Sequence, residues 1–414
     1  MVTIAHVSDT HLGRRPDDVR DMLIDRKYRP LEDDFYRAWK LAVKEILDRK
    51  DEVDIVVHSG DLFDSPYASN PYPPPEAARN VAAEAFQELK KANIPVVIID
   101  GNHGCYTGYR ISTLDHYAII FDNVHAFTYW DFAAAFKRGE QLKKRFDGLT
   151  VYCYPYVDPK FLETAEVIDR YRQWIRSVKL ERRGVNVAVA HGMQADGTLD
   201  PNLLNMEFDY IALGHDHNPK RITRNAAYAG STERWSFKES DIPRQFLLVN
   251  VEPRNEPEIT PVEIPQRRPM INETVHIEAE DTAYDITEKM RRILQENGLE
   301  TPYNYDDAAR VKITLEGATS HETLTRLYAA LEEFKHEALT SQNINVVQLK
   351  VGRASPERIG LKPTPTYQEI EYLIEDPEED IRRFLQKKEI GETYDIDLMV
   401  KIFKEALKEL EGEE

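Results

Sequence analysis

Seven side chains of metal-binding type stand just beyond short apolar runs. VTIAHVSDTH delivers Asp9 and His11, EVDIVVHSGD delivers Asp61, and IPVVIIDGNH delivers Asn102. Farther on, VNVAVAH delivers His191 and FDYIALGHDH delivers His215 and His217. Two carboxylates, one amide oxygen and four imidazoles suit a pair of borderline divalent ions such as Mn²⁺, Fe²⁺ or Zn²⁺. No thiolate belongs to the set, which excludes a structural zinc finger. With two carboxylates on offer, one must serve both ions, and Asp61 is assigned that place. One ion then takes Asp9, His11, Asp61 and His217; the other takes Asp61, Asn102, His191 and His215. Two cations held about 3.5–4 Å apart are a general means of hydrolysing phosphate esters. They also supply positive charge locally. His103 neighbours Asn102 and is not needed as a ligand. An imidazole there can protonate a leaving oxygen or stabilise charge on a phosphate.

The elements that must position these residues are visible in the same runs. Strands are expected over 2–7, 53–57, 94–99, 185–190 and 210–213, with helical patterns at 33–48 and 75–92 between the early ones. Continuous apolar strands alternating with helices imply an α/β core of buried strands. Residues just past the carboxyl ends of such strands meet at the edge of the sheet, so the five segments should converge on one crevice. Further runs near 228–230 and 246–251 read as strands of a second sheet. A four-layer α/β/β/α sandwich over residues 1–252 is the expected architecture. His6 and His58, inside strands, are read as packing or orienting groups. The Phe35/Trp39 stripe is read as core.

A proline-spaced stretch at 252–269 then reads as a stiff exit from this domain. Residues 270–354 follow a β-α-β-α-β pattern, expected to form a small separate domain. A second proline-bearing linker spans 355–366, and 367–414 carries two amphipathic helical patterns. The chain has 414 residues, 41% hydrophobic and 31% charged, with a formal net charge of -19. That rules out collagen-like, coiled-coil-only and wholly disordered classes. A field this acidic does not bind nucleic acid by itself, so any such role needs a local site, a metal or a partner. Cys105 and Cys153 are the only cysteines, too few for a disulfide framework. No membrane-length apolar run and no secretory signal is visible, so a soluble cytoplasmic protein is expected.

SDTHLG, GDLFDS, GNH, the HG of His191–Gly192 and GHDH, in this order, resemble the calcineurin-like metallophosphoesterase superfamily. Within it, GDLFDS and GSTERWSF (230–237) are similar to the DNA double-strand-break repair nucleases, called SbcD in bacteria and the Mre nuclease in archaea and eukaryotes. A protein phosphatase of the superfamily would show GD-x-VDRG at the second motif. The resemblance implies an Mn²⁺-dependent nuclease with two ions per chain, 3′-to-5′ exonuclease and single-strand endonuclease activity, and a homodimer. It maps the seven residues onto the family's metal ligands and His103 onto its active-site histidine. It also makes 270–354 a DNA-capping domain. Residues 367–414 become a helical segment that docks an SbcC-type ABC ATPase with a coiled coil. The strongly acidic tail would then suit a basic partner face, with Leu373, Ile381, Phe384, Met399 and Phe403 among its apolar docking residues. Dimer helices are expected at 77–92 and 110–121, the latter carrying Ile111, Leu114, Tyr117, Ala118 and Phe121. A plain core helix fits that stripe equally well. The location implied is the prokaryotic cytoplasm, near the nucleoid.

Two departures from the family pattern matter. An acid usually follows GNH and holds the imidazole; this chain has Gly104, leaving Asp64, Asp216 or another acid to substitute. Some archaeal members carry a histidine where this chain has Asp64. DNA contact is expected from scattered basic residues, namely Arg14, Arg15, Arg267, Arg268 and Arg353, with Arg234 and Trp235 either touching substrate or serving the core. Two other functions use the same ligands: hydrolysis of a small phosphodiester or nucleotide, and a non-catalytic scaffold. The capping domain and striped tail favour the nuclease, because a small-molecule enzyme needs neither.

Overall fold

The computed structural model describes residues 1–20, 28–67, 70–106, 111–162, 164–319, 321–352 and 359–361. Two six-stranded sheets form its centre. The first runs Glu258–Glu263, Gln245–Val251, Val2–Val7, Ile55–His58, Val96–Ile99, Val124–Phe127; the last four strands are parallel and the first two pair antiparallel. The second runs Lys220–Thr223, Ala226–Tyr228, Tyr210–Gly214, Val185–His191, Leu149–Tyr154, Lys143–Phe146, parallel except at its two edges.

Strand pleating assigns alternate residues to two different cores. Ala5, Val56, Val96 and Ile98 face the helices Glu32–Leu47 and Glu76–Lys91, packing on Trp39, Ala42, Val81 and Phe86. Their neighbours Ile4, Ile55, Val57, Val97 and Ile99 face the second sheet, where Val151, Val187, Val189 and Ala212 meet them. The far side of the second sheet presents Tyr152, Tyr154, Ala188 and Leu213 to Phe132 and Phe136 of helix Tyr129–Arg138 and to Tyr171 and Trp174 of helix Ala165–Arg176. Three apolar layers separate four layers of secondary structure, the α/β/β/α sandwich expected from the strand and helix runs. Local chemistry fixes the helix ends. Thr128 and Asp131 form a reciprocal capping box before Tyr129, and Gly139 closes that helix in the left-handed conformation at φ 70°.

The stretch 252–269 is not linker throughout. Glu258–Glu263 is an edge strand on Gln245–Val251, and an edge is where Pro261 is tolerated. Beyond it the element order is strand Met270–Ile277, helix Ala283–Glu296, strand Ala309–Thr319, helix His321–Thr340, strand Val346–Val351. Ile359–Leu361, inside the second expected linker, is a strand paired with Gly317–Thr319. One compact unit comprises Met1–Val275, Thr287–Leu315 and Ala329–Arg353; a second takes in His276–Ile286, Glu316–Tyr328 and, among the described residues, 359–361. The expected helices of 367–414 lie outside the described residues. Among those described, no helix is long and apolar enough to cross a membrane.

Candidate metal centre

Val2–Val7, Ile55–His58, Val96–Ile99, Val185–His191 and Tyr210–Gly214 all run parallel within their sheets and end on the same side as the seven candidate ligands. The turns after the first two strands are stitched together by backbone hydrogen bonds. Asp9 N donates to Gly60 O at 3.1 Å, His11 N to Asp61 O at 3.1 Å, Leu12 N to Leu62 O at 2.9 Å and Asp64 N to Leu12 O at 3.1 Å. Four of the seven residues sit at positive φ: Asp9 at 50°, His11 at 43°, Asp61 at 55° and His215 at 101°. Non-glycine residues in that region carry strain that a functional site characteristically retains. Close approach also dictates the glycine between Asp100 and Asn102: a Cβ on Gly101 would lie 1.9 Å from Asp61 Oδ1.

The side chains converge. Asn102 Oδ1 lies 2.9 Å from His191 Nε2 and 2.8 Å from His215 Nδ1. Asp61 Oδ2 lies 3.8 Å from His11 Nε2 and 3.6 Å from His191 Nε2, so it faces both halves of the cluster. Asp9 belongs to two groups whose donor atoms approach closely enough to share an ion, one with His11 and His217 and one with Asp61 and His191. His11 Nε2 and His217 Nε2 stand 3.0 Å apart.

Three of the four ligand-type histidines hydrogen-bond an acceptor through their other nitrogen. His191 Nδ1 is 2.8 Å from Ser59 O, His215 Nε2 is 2.8 Å from Asp196 Oδ2, and His217 Nδ1 is 3.1 Å from Glu239 Oε1. His11 Nδ1 lies 3.3 Å from Asp64 Oδ1. Such outer contacts fix the tautomer and aim the opposite nitrogen inward. His11 Nε2 and His217 Nε2 approach closely enough to share one ion with Asp9. The carboxylates are anchored as well. Ser8 Oγ donates to Asp9 Oδ2 at 2.6 Å, and His103 N donates to Asp61 Oδ1 at 2.8 Å.

Burial raises the pKa of Asp9, and burial followed by the charge of Asp9 raises that of Asp61 well above the ordinary carboxylate range. Burial, then neighbouring histidine charge, takes His11 and His191 well below the usual imidazole value. Burial pulls His217 down too, but its hydrogen bond to the Glu239 carboxylate and the charge of Asp9 outweigh it and leave the pKa raised. Two buried carboxylates that resist ionisation and two imidazoles that stay neutral are a donor set short of a positive charge. The residues present fit divalent metal.

His103 stands beside the cluster. Its Nδ1 donates to the backbone carbonyl of Asp64 at 2.7 Å, and its ring lies 4.4 Å from that of Tyr67. Burial lowers its pKa, against the opposing pull of the Asp64 carbonyl and carboxylate. Of the acids expected to replace a carboxylate at 104, Asp64 is the one at hand; Asp216 instead accepts from Asn218 N and pairs with Lys220. Next to the centre lies a groove of about 780 Å³, lined among others by Arg14, His215, His217, Trp235, Lys312 and Lys350. The Arg14 guanidinium sits 4.1 Å above the Trp235 ring.

Other basic residues expected to meet DNA serve the interior. Arg268 is buried on Asp34 at 2.6 Å, and Arg267 pairs with Asp33 at 2.9 Å. Arg234 is buried and donates to Arg268 O at 2.6 Å, the core alternative for that residue. Arg15 remains half-exposed, 3.5 Å from Glu32, and Arg353 lies outside the described residues. Where a dimer helix is expected over 110–121, the described residues form a strand at Ile111–Ser112 and a helix only at Asp115–Ile120; Leu114, Tyr117 and Phe121 are core, and Ile111, Ile119 and Ile120 are exposed. His6 and His58 orient neighbours, as read: His6 contacts Tyr210 Oη at 2.8 Å and Ser59 Oγ at 2.9 Å, and His58 lies 3.3 Å from Thr10 Oγ1. The sequence reading missed Ser59, Asp196 and Glu239. Nothing in composition or spacing separates these outer partners from ordinary polar surface residues.

A metal-dependent phosphoesterase is the class that this sandwich and this donor cluster define. The chain belongs to the calcineurin-like phosphoesterase family, whose profile matches residues 2–219. It is similar to the DNA double-strand break repair protein Mre11 of Methanocaldococcus jannaschii, 30% identical over 236 residues that cover 55% of this chain and 56% of that protein. The Mre11 of Thermoplasma acidophilum is 28% identical over 77% of this chain and 78% of its own length. That of Aeropyrum pernix is 27% identical over 71% and 68%.

Proposed function

We propose that this chain is a DNA nuclease of double-strand-break repair, degrading DNA ends 3′-to-5′ and cutting single strands in the presence of Mn²⁺. The observation that carries the reading is the convergence of the seven donors beside a groove that presents Arg14, Lys312 and Lys350. The similarity to Mre11 proteins supports the choice of DNA over a small diester. Asp9, His11, Asp61 and His217 would hold one Mn²⁺, and Asp61, Asn102, His191 and His215 the other. When bound, such a pair supplies Lewis acidity at a phosphoryl oxygen and a nucleophile at neutral pH. The remaining work falls to the chain itself. Asp196, Glu239 and the Ser59 carbonyl keep three imidazoles in one tautomer. His103, with Nδ1 engaged by Asp64 O, has Nε2 available to take up or pass a proton at the leaving oxygen.

In this reading residues 1–252 carry the chemistry, 270–354 cap the DNA, and 367–414 dock an ABC-type ATPase with a coiled coil, in the prokaryotic cytoplasm. Exposed Ile111, Ile119 and Ile120 are the apolar residues available for a homodimer near the expected helices. The test is digestion of end-labelled DNA by the purified chain with Mn²⁺, beside Asp61→Ala and His103→Ala. Metal-dependent degradation lost in both variants is the expected result. Inert DNA with hydrolysis of a chromogenic phosphodiester intact would instead make this a small-substrate phosphoesterase.

A further inference from the structure

His103 needs an orienting partner, and its C-terminal neighbour does not supply one. Gly104 carries no side chain and sits at φ 94°, a conformation in which an L side chain is strained. The residue that meets the need lies 39 positions upstream, in the second motif. Asp64 is 3% exposed and reaches three separate segments of the site. Its backbone carbonyl accepts from His103 Nδ1 at 2.7 Å, while Gly104 N donates to Pro66 O at 2.7 Å, so the 64–66 turn grips the third motif twice. Its carboxylate Oδ1 accepts from Trp235 Nε1 at 2.9 Å and lies 3.3 Å from His11 Nδ1. Its Oδ2 lies 3.7 Å from Arg14, whose guanidinium covers the Trp235 ring. His11 Nδ1 is buried, makes no hydrogen bond, and has this carboxylate 3.3 Å away.

We infer that Asp64 is a positioning residue that aligns the ligand His11, the imidazole of His103 and the Arg14–Trp235 wall of the groove at once. The inference rests on reading the cluster as a metal centre. A carboxylate on the outer nitrogen of a ligating histidine fixes the tautomer and raises its basicity, and removing such a partner typically lowers metal affinity by about 10- to 100-fold. The same carboxylate fixes Trp235, and through it Arg14, against the turn that holds His103. A shift of Asp64 is therefore felt both at the donor cluster and at the groove wall. His11, Asp64 and His103 also approach one another closely enough to hold an ion. A ligand role and a positioning role predict different stoichiometries.

The experiment uses the full chain as wild type, Asp64→Asn and Asp64→Ala. Mn²⁺ binding is measured by calorimetry and electron paramagnetic resonance, and kcat and KM on a chromogenic phosphodiester. The wild type is expected to bind two ions. Asp64→Ala should still bind two, one of them about 10- to 100-fold more weakly, with kcat reduced more than KM. Asp64→Asn keeps an acceptor for Trp235 and a polar oxygen beside His11 and should recover much of both, which also covers an alanine variant that fails to fold. Wild-type affinity and kcat in a folded Asp64→Ala would overturn the inference. So would three ions in the wild type and two in the variant, which would make Asp64 a ligand. Failure of the wild type to cut DNA would strike the nuclease reading alone, since the metal titration needs no DNA.

Discussion

His58 is sealed beneath the metal centre, its ring edge-on to Trp39 and its Nδ1 without a hydrogen-bond partner. Burial lowers its pKa from 6.5 to about 3. The unfolded chain protonates this residue near 6.5 while the folded chain does not, so each pH unit below that value favours unfolding. Stability present above pH 6.5 is lost as the pH falls toward 3. Between those limits one such group costs about 1.4 kcal/mol per unit at most. His58→Gln is therefore expected to flatten the acid limb of the stability curve, losing up to roughly 2.7 kcal/mol less than the wild type between pH 6.5 and about 4.5. Urea unfolding at a series of pH values reads the difference directly. Parallel curves for the two proteins would show that burial does not hold His58 neutral. The candidate ligands were legible at this scale because each ends a run of apolar residues. Asp196 and Glu239 were not, because their role depends on which imidazole the fold brings to them.

At the scale of elements, the strands that carry the centre are the ones the sequence displays. Buried on both faces, they must be continuous apolar runs, and a parallel sheet places their ends together. The strands that escaped notice fall into two kinds. Lys143–Phe146, Lys220–Thr223 and Glu258–Glu263 are edges, rich in charge because one side meets water, so neither a run nor a clean alternation marks them. Leu149–Tyr154 is an inner strand and Val124–Phe127 the far edge of the first sheet; neither ends in one of the seven donors that draw attention to the others. The two sheets meet closely enough to leave no room for a methyl group at the end of Tyr210–Gly214: a Cβ on Gly214 would lie 2.2 Å from Ser59 O and 2.3 Å from Ser8 Oγ. Gly214→Ala should force Ser8–Asp9, Ser59 and His215 apart, at a cost of about 1–3 kcal/mol for the overpacking. Its effect on Mn²⁺ affinity should be larger than that on folding, because His215 N bonds Asp9 through this turn. Chemical denaturation with a metal titration on the same variant checks both, and unaltered metal affinity would refute the argument.

Over the whole molecule, acidic excess coexists with arginines spent on internal ties rather than on a nucleic-acid surface. Arg268 forms a two-point pair with Asp34, at 2.6 and 2.8 Å, and donates from Nη1 to Tyr305 O and Ala308 O. Arg20 donates to Thr340 O and Ser341 O, and its backbone N to Val347 O at 2.8 Å. The bonds of Arg268 to Asp34 and those of Arg20 join parts of one compact unit that lie more than two hundred residues apart in sequence. They were invisible in the sequence, where adjacent arginines at 267 and 268 read as cationic surface. Both members of the Asp34–Arg268 pair are 2% exposed, so breaking it differs from replacing it. Asp34→Ala strands a buried guanidinium and should cost about 3–5 kcal/mol. The double variant Asp34→Ala, Arg268→Met removes the stranded charge as well and should recover most of that loss. The exposed Lys44–Asp48 pair at the end of the same helix is the control, where solvent screens the attraction and removing one partner should barely register. If Asp34→Ala proved as mild as Asp48→Ala in a denaturant titration, the tie would be ornamental. A measured loss of the expected size would instead mean that the segment bearing Arg268 and Tyr305 is part of what keeps helix Glu32–Leu47 on the first sheet, and a fragment ending at residue 252 would fold poorly for that reason.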